Sequence, residues 1–433
     1  MENKMVQIEK KLYKLVSTLY PICRSITGDG VRETLRIIQK IIPIKIHEVP
    51  SGTKVFDWEV PEEWNIKDAY VKTSSGERII DFKKSNLHVL GYSVPVKKRV
   101  TIEELKEHIF TLEDLPDAIP YRTSYYNRNW GFCISYNQFK ELNDKEYDVL
   151  IDSSFKKGYL TYGELFLRGR SKDEILISTH ICHPSLCNDN LSGIAVATYL
   201  AKLVNDLKNR EYSYRFLFIP GTIGSITWLA KNEDKIKDIK HGLVLSCLGD
   251  KGSFTYKKSR RGNATIDRAV EKALEDSKFG YEIREFSPFG YDERQYCSPG
   301  INLPVGCLMR TPYGEFKEYH TSLDNLDFID SKSLEESLQL CIRIFNILEN
   351  NKTYINTNPK CEPHLGKRGL YKHIGGEGQK EKEKIILWIL NLSDGTNDLL
   401  DIAIKGGINF CKAQDMCDVL IKKGLLKEKK KGI

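Results

Sequence analysis

The sequence has 433 residues, a formal net charge of +7, and 40% hydrophobic and 29% charged side chains. That length exceeds what one hydrophobic core usually organises, so two or three domains are expected, and the charge is too small for this length to argue by itself for nucleic acid. No run of about 18 apolar residues occurs, which argues against a membrane span. Eleven cysteines in an irregular pattern without a CxxC pair, and an amino terminus (MENKMVQIEKKLYKL) without an apolar signal region, favour reduced thiols and a cytoplasmic location.

In chain order, Met5, Ile8, Leu12, Leu15, Val16 and Leu19 fall on one helical stripe, and VRETLRIIQKII (31–42) repeats the pattern, so two opening helices are predicted. Residues 56–134 change character. Pro61, Pro95, Pro116 and Pro120 interrupt short strand-like pieces dense in aromatic residues, with one helix near 101–109, which predicts a β-rich insert. From about 147 the pieces YDVLIDSSF, LTYGELFL and EILIST read as strands. Next come a helix over GIAVATYLAKLV, a strand YRFLFIP, a helix SITWLAKN, a strand GLVLSCLG, a helix near 266–275, a strand near PVGCLMR and a long helix over 332–349. Apolar strands alternating with amphipathic helices predict an α/β domain with a buried mixed sheet, whose ligands gather at the carboxyl ends of its strands. After Asn358-Pro359 a polar, glycine-rich connector (GKRGLYKHIGGEGQKEKEK) leads to helix-sized segments IILWILNL, DLLDIAIK and AQDMCDVLIKKGLL and a lysine-rich tail, the signature of a winged helix-turn-helix module over 362–433.

The most informative segment is EILISTHICHPSLCNDNLSGIAVATYLA. A buried strand ends at Thr179, His180, Cys182 and His183 follow, and Asp189 stands just before a helix. Imidazole nitrogen and carboxylate oxygen suit zinc-like ions, and a strand end joined to a helix start can hold them rigidly. An isolated HxxH pair is as often a surface or core feature, so this spacing alone does not establish a site.

STHICHPSLCNDNLSG resembles the first metal motif of the zinc-dependent aminopeptidase clan that also holds glutaminyl cyclases. There a strand ends in a histidine ligand and a loop leads to a bridging aspartate. GYDERQYCSPGINLPVGCLMR and EYHTSLDNLDFI resemble the clan's last motifs. The resemblance implies metal ligands at His180, Asp189 and His320, and a zinc-aminopeptidase-like domain over 1–55 and 135–358. RSITGDGVRETL, CHPSLCNDNLSG, PGTIGSITWL and EYHTSLDN further resemble a bacterial group with a β-rich insert and a carboxyl-terminal winged helix, associated with surface-polysaccharide biosynthesis.

The chain departs from that pattern in three places. Gly221-Thr222 stands where the clan has a Glu-Glu pair, Cys247 stands near its later aspartate ligand with Asp250 three residues on, and Cys182 replaces the aspartate that orients the first histidine. One zinc ion is therefore expected rather than two, with His183 an alternative ligand to His180. With Gly221 unable to take a proton, Glu293 is the candidate general base, Glu318 its alternative, and Asp292 a site-wall residue, with Tyr291 and Tyr319 lining the pocket.

These features imply an aminopeptidase or related amide hydrolase acting on a small peptide or aminoacylated substrate. The missing glutamates keep open a second reading, a degenerate peptidase fold that binds a ligand and regulates through its winged helix. Asp415 and Asp418 on the last predicted helix argue against specific nucleic-acid binding by that module, while a homo-oligomer stays open.

Overall fold

The computed structural model describes residues 2–370 and 377–429. It divides into one unit of 1–262 and 281–339 and a second of 263–280 and 340–433. In the first unit an eight-stranded mixed sheet runs in the order Lys45–Pro50, Tyr159–Leu167, Ser213–Ile219, Glu174–His180, Ile239–Leu245, Val305–Met309, Phe254–Lys257, Tyr281–Arg284. Its centre is parallel: Glu174–His180 lies between Ser213–Ile219 and Ile239–Leu245 in the same direction. Every residue of Glu174–His180 and of Ser213–Ile219 is buried, as continuous apolar runs covered on both faces require. Parallel alignment brings the carboxyl ends of these strands to one edge, where Gly221, His180 and Cys247 follow one another across the sheet.

Helices cover the sheet where the apolar stripes predict. Leu12, Leu15, Val16 and Leu19 of Glu2–Leu19 are buried, as are Val31, Leu35 and Ile38 of Asp29–Gln39. Gly193–Asp206 starts directly after the Asp189 loop and is buried over its first nine residues, so its amino end is fixed against the sheet.

A separate antiparallel sheet runs Arg78–Asp81, Glu63–Lys72, Glu146–Lys156, Val96–Thr101 around its own core, which includes Val71, Ile80, Val100, Val149 and Ile151. The segment YDVLIDSSF is a strand, as read from sequence, but it pairs here and not with the strands that follow it. Alternating burial along Glu146–Lys156 leaves one face to solvent, whereas Tyr159–Leu167 is buried almost throughout and suits the covered sheet.

The second unit contains helices Thr265–Glu275, Glu377–Leu392, Leu399–Gly406 and Phe410–Lys422, with a small sheet of Asp394–Asp398, Thr353–Asn356 and Leu426–Glu428. Asp398 caps Leu399–Gly406 through the Asp401 amide, and Gly407 ends it at φ 55°. The last helix, Phe410–Lys422, begins before AQDMCDVLIKKGLL and stops short of its end. Gly424 turns the chain at φ 69°, and Leu426–Glu428 pairs with Tyr354–Asn356 as a wing strand. Residues 371–376 of the connector and 430–433 of the lysine-rich tail lie outside the described residues.

One buried ion pair fixes the strand that delivers His180. Arg215 donates from Nε and Nη2 to both oxygens of Glu174 (2.7 and 2.8 Å), the first residue of that strand, and also pairs with Glu164. Removing one partner of such a pair leaves a charge in a dry interior. Arg215→Ala should lower unfolding free energy by about 3–5 kcal/mol in urea titration; a loss below about 1 kcal/mol, the range of an exposed pair, would show that the pair does not matter.

Candidate metal centre

Residues 181–192 connect the strand ending in His180 to the helix Gly193–Asp206, and all of them are buried. A buried loop must find partners for its backbone, and here it does so with side chains. The Asp324 carboxylate accepts the amides of Asn188 (2.6 Å) and Asp189 (2.9 Å). Asn188 accepts from the Gly249 amide through Oδ1 (2.8 Å) and donates to Asp250 (2.9 Å), while Arg24 donates to the His183 carbonyl (2.8 Å). Burial pushes Asp324 up to about 8 even against those amides, and burial lowers Arg24 to about 10.

This frame gathers three imidazoles on one carboxylate. His180 Nε2 lies 2.8 Å from Asp189 Oδ1, His320 Nε2 lies 3.0 Å from Oδ2, and His183 Nε2 stands 3.8 Å from Oδ2. Ligand atoms of His180, His183 and Asp189 all fall within 4.8 Å of one another. Burial alone would raise Asp189, yet the surrounding imidazoles of His183, His180 and His320 hold it well below the carboxylate range. Burial also drives His183 well below the usual imidazole value, which keeps the ring neutral and its lone pair available. His320 sits at φ 54°, a left-handed conformation costly for a residue with a Cβ, and its carbonyl is held by the Tyr121 amide at 2.7 Å.

Imidazole nitrogens and a carboxylate are donors that a zinc-like ion takes, so His180, His183 and Asp189 fit such an ion, with His320 Nε2 beside Asp189 Oδ2. A second donor set is not assembled among the described residues. Gly221 offers no side chain, Cys247 is a buried thiol pushed well above its usual value by burial, and Asp250 is occupied by Asn188, Thr311 and the Gly252 amide. The orienting aspartate that the resemblance implies two residues after His180 is Cys182, and the group beside His180 Nδ1 is instead the amide of Asn190 at 3.2 Å.

The wall is aromatic. Tyr291 lies against His180, with ring centroids 3.8 Å apart, and its hydroxyl is 3.3 Å from His183 Nε2 and 3.7 Å from Cys182 Sγ. A Cβ placed on Gly221 would run into the Tyr291 ring, so this phenol fills the space that a side chain at 221 would need. Tyr121 packs on His183 and His320 at 5.2 and 5.1 Å, and Tyr319 stacks on His320 at 3.9 Å.

The carboxylates read from the sequence have different surroundings. Glu293 is fully buried, paired with Lys257, and accepts the Tyr291 amide. Asp292 is also fully buried. Ser225 donates to its Oδ1 (2.7 Å), Oδ2 has no hydrogen-bond partner among the described residues, and burial pushes the group up to about 7. Glu318 is partly exposed, two residues before His320. Sequence reasoning did not identify Arg24, Asn190, Asp324 or Tyr121 as parts of the site. Arg24 and Asp324 do lie within RSITGDGVRETL and EYHTSLDN, two phrases that carried the resemblance.

A Clostridium acetobutylicum protein named for polysaccharide biosynthesis and an aminopeptidase-like domain is 54% identical over 430 residues, 98% of this chain and 99% of that one. A crystal structure from the same organism, described as a candidate peptidase, superposes with a TM-score of 0.94 at 53% identity, covering 99% of this chain and 98% of the other. BSAP, a zinc aminopeptidase from Bacillus subtilis, shares the fold alone: TM-score 0.57 at 12% identity, over 78% of this chain and 94% of that one. Residues 352–428 match the winged helix-turn-helix family, and residues 13–351 match the family described as Domain of unknown function (DUF4910). The chain therefore belongs to the DUF4910 family, with an aminopeptidase-like fold followed by a winged helix-turn-helix module.

Proposed function

We propose that this chain is a metal-dependent amide hydrolase, acting beside a free amino group of a small peptide or aminoacylated substrate in surface-polysaccharide biosynthesis. The observation that carries this reading is the convergence of His180, His183 and His320 on the buried carboxylate of Asp189. These four residues would hold one zinc ion. Such an ion supplies Lewis acidity, polarising an amide carbonyl and easing deprotonation of water.

The chain's own groups take the remaining tasks. Asp292 is the proton acceptor in this reading, because it alone among the candidate carboxylates combines full burial with an oxygen left without a partner, and because a value near 7 suits a base at neutral pH. Its charge is felt by Cys182 and Tyr291, two of the groups in contact with His183. Glu293, the base read from sequence, is held by Lys257 and instead fixes the backbone of Tyr291. Burial keeps the Tyr291 hydroxyl protonated and so a donor toward an oxygen that gains negative charge, while the rings of Tyr121 and Tyr319 exclude water.

The Tyr291 ring that fills the space beside Gly221 favours a second reading, a ligand-binding regulator that retains the ion without turnover. Aminoacyl anilide assays on zinc-loaded and chelated protein separate the two. Asp189→Ala should retain no zinc after dialysis, measured by elemental analysis; an unchanged metal-to-protein ratio would remove the basis of both readings.

Asp292→Asn should lower turnover by about 10²–10⁴ and abolish the rise in rate expected of wild type as pH climbs through about 7. The same substitution has a stability signature with a defined sign. Asp292 binds its proton more tightly folded than unfolded, so wild type loses stability as pH rises from the ordinary carboxylate range to about 7. Melting curves should show Asp292→Asn gaining on wild type across that window; parallel curves would show that Asp292 titrates normally.

For the winged module we infer a contact role rather than base readout. On the helix Phe410–Lys422, Lys412 is paired with Glu381, and Asp415 and Asp418 are exposed where phosphate would approach. The full chain should bind duplex DNA at physiological salt no tighter than about 10⁻⁶ M, without sequence preference. Submicromolar, sequence-selective binding in a mobility-shift assay would reverse this assignment.

A further inference from the structure

The segment 56–134, read from sequence as an insert, supplies three of the four strands of the antiparallel sheet, yet one stretch of it leaves that sheet and reaches the histidine cluster. Residues 119–121 run antiparallel to residues 320–322. The Ser322 amide donates to the Ile119 carbonyl (2.8 Å), the Ile119 amide donates back to Ser322 Oγ (2.9 Å), and the Tyr121 amide donates to the His320 carbonyl (2.7 Å). Pro120 faces Thr321 between them, so the whole turn that carries His320 is engaged by the insert.

The same stretch touches the other half of the centre. Tyr121 packs with Leu186, which lies in the loop between His183 and Asp189, and its ring stands 5.2 Å from His183 and 5.1 Å from His320. Behind it the chain is fastened in turn: the Gly91 amide donates to the Arg122 carbonyl (2.9 Å), and the Ser124 amide donates to the Gly91 carbonyl (2.8 Å).

His320 needs such a brace more than its partners do. His180 ends a strand paired on both sides and His183 sits in a fully buried loop, whereas His320 comes from a turn 131 positions from Asp189 and its side chain is 27% exposed. Its φ of 54° is one that a residue with a Cβ keeps only where its surroundings impose it. Asp324, four residues on, fixes the amides of Asn188 and Asp189, but the bond to the His320 carbonyl comes from Tyr121. Contacts that orient a metal ligand from behind typically carry about 10- to 100-fold in metal affinity.

We propose that Tyr121 and Ser322 are positioning residues of the metal centre: through them the insert holds His320 in place, so affinity for a zinc-like ion depends on a segment that carries none of the ligands. The inference rests on the histidine cluster being a metal centre, and it assigns the insert a part in building that centre.

The test measures the zinc dissociation constant of the full chain by competition with a chromogenic chelator, alongside urea unfolding of the metal-free protein. Ser322→Ala and Tyr121→Ala should each weaken zinc binding by about tenfold or more, while Tyr121→Phe, which keeps the ring, should bind as wild type does. Val149→Ala is the control for a merely structural effect, because Val149 belongs to the core of the antiparallel sheet, which includes none of residues 119–121. It should lower the urea midpoint and leave zinc affinity unchanged. Wild-type affinity in both alanine variants, a loss in Val149→Ala as large as theirs, or a loss in Tyr121→Phe as large as in Tyr121→Ala would overturn the proposal. Carbon-13 histidine spectra of the metal-free protein add a readout independent of the ion, with the His320 signal assigned through His320→Gln. That signal should shift or broaden in Ser322→Ala and stay in place in Val149→Ala; an unmoved signal in Ser322→Ala would count against the brace. Wild type that binds no zinc while the His320 signal responds would overturn the metal reading and leave the brace standing, whereas zinc bound equally by wild type and both alanine variants would do the reverse.

Discussion

Much of this structure answers to one demand, that the Asp189 carboxylate stay charged in a place water does not reach. A carboxylate taken from water carries a cost of several kcal/mol unless neighbours replace its solvation. Here the replacement is three imidazoles, reaching it from the end of a sheet strand (His180), from the loop that follows (His183) and from a distant turn (His320). His180 and His183 come from the same segment as Asp189, but His320 lies 131 positions away, so the fold must bring that third imidazole to the charge.

That requirement explains why so many buried polar groups surround the loop. Asp324 and Arg24 act on backbone rather than on any ligand: one receives the amides of Asn188 and Asp189, the other grips the carbonyl of His183. A loop held through its main chain keeps its side chains free to point inward. Asn190 sits at the centre of the arrangement, donating toward Thr179 and the Leu245 carbonyl and accepting the Cys247 amide, and so ties the loop to two neighbouring strands.

The sequence was most legible where chemistry is local. Apolar periodicity located the strand Glu174–His180 and the helices on either side, and the spacing of His180, Asp189 and His320 matched a known pattern closely enough to select a fold. Long-range partnership left weaker marks. Nothing near Glu146–Lys156 states that its partners are Glu63–Lys72 and Val96–Thr101, since pairing depends on residues 45 to 93 positions away and only alternating burial separates it from the strand that follows. Tyr121 was hidden for the same reason, because it comes from a segment that looks like an insert yet its amide binds the carbonyl of His320. Glu293 reads from sequence as the base and its neighbour Asp292 as site wall; both are fully buried, and only their partners reverse the two, with Lys257 engaging Glu293 while one oxygen of Asp292 has no partner among the described residues.

The ring of Tyr291, lodged where a side chain at 221 would stand, also governs which sequences this chain can reach next. Adding a glutamate at 221 would drive its first carbon into that ring, while shrinking Tyr291 alone would open a void beside His180 and remove its hydroxyl from His183. Each step taken singly leaves a worse protein, and only the pair restores a filled wall. The exchange thus works as a ratchet: a descendant of this chain cannot recover a glutamate at 221 by one substitution, and an engineer who wants it there must change both positions together.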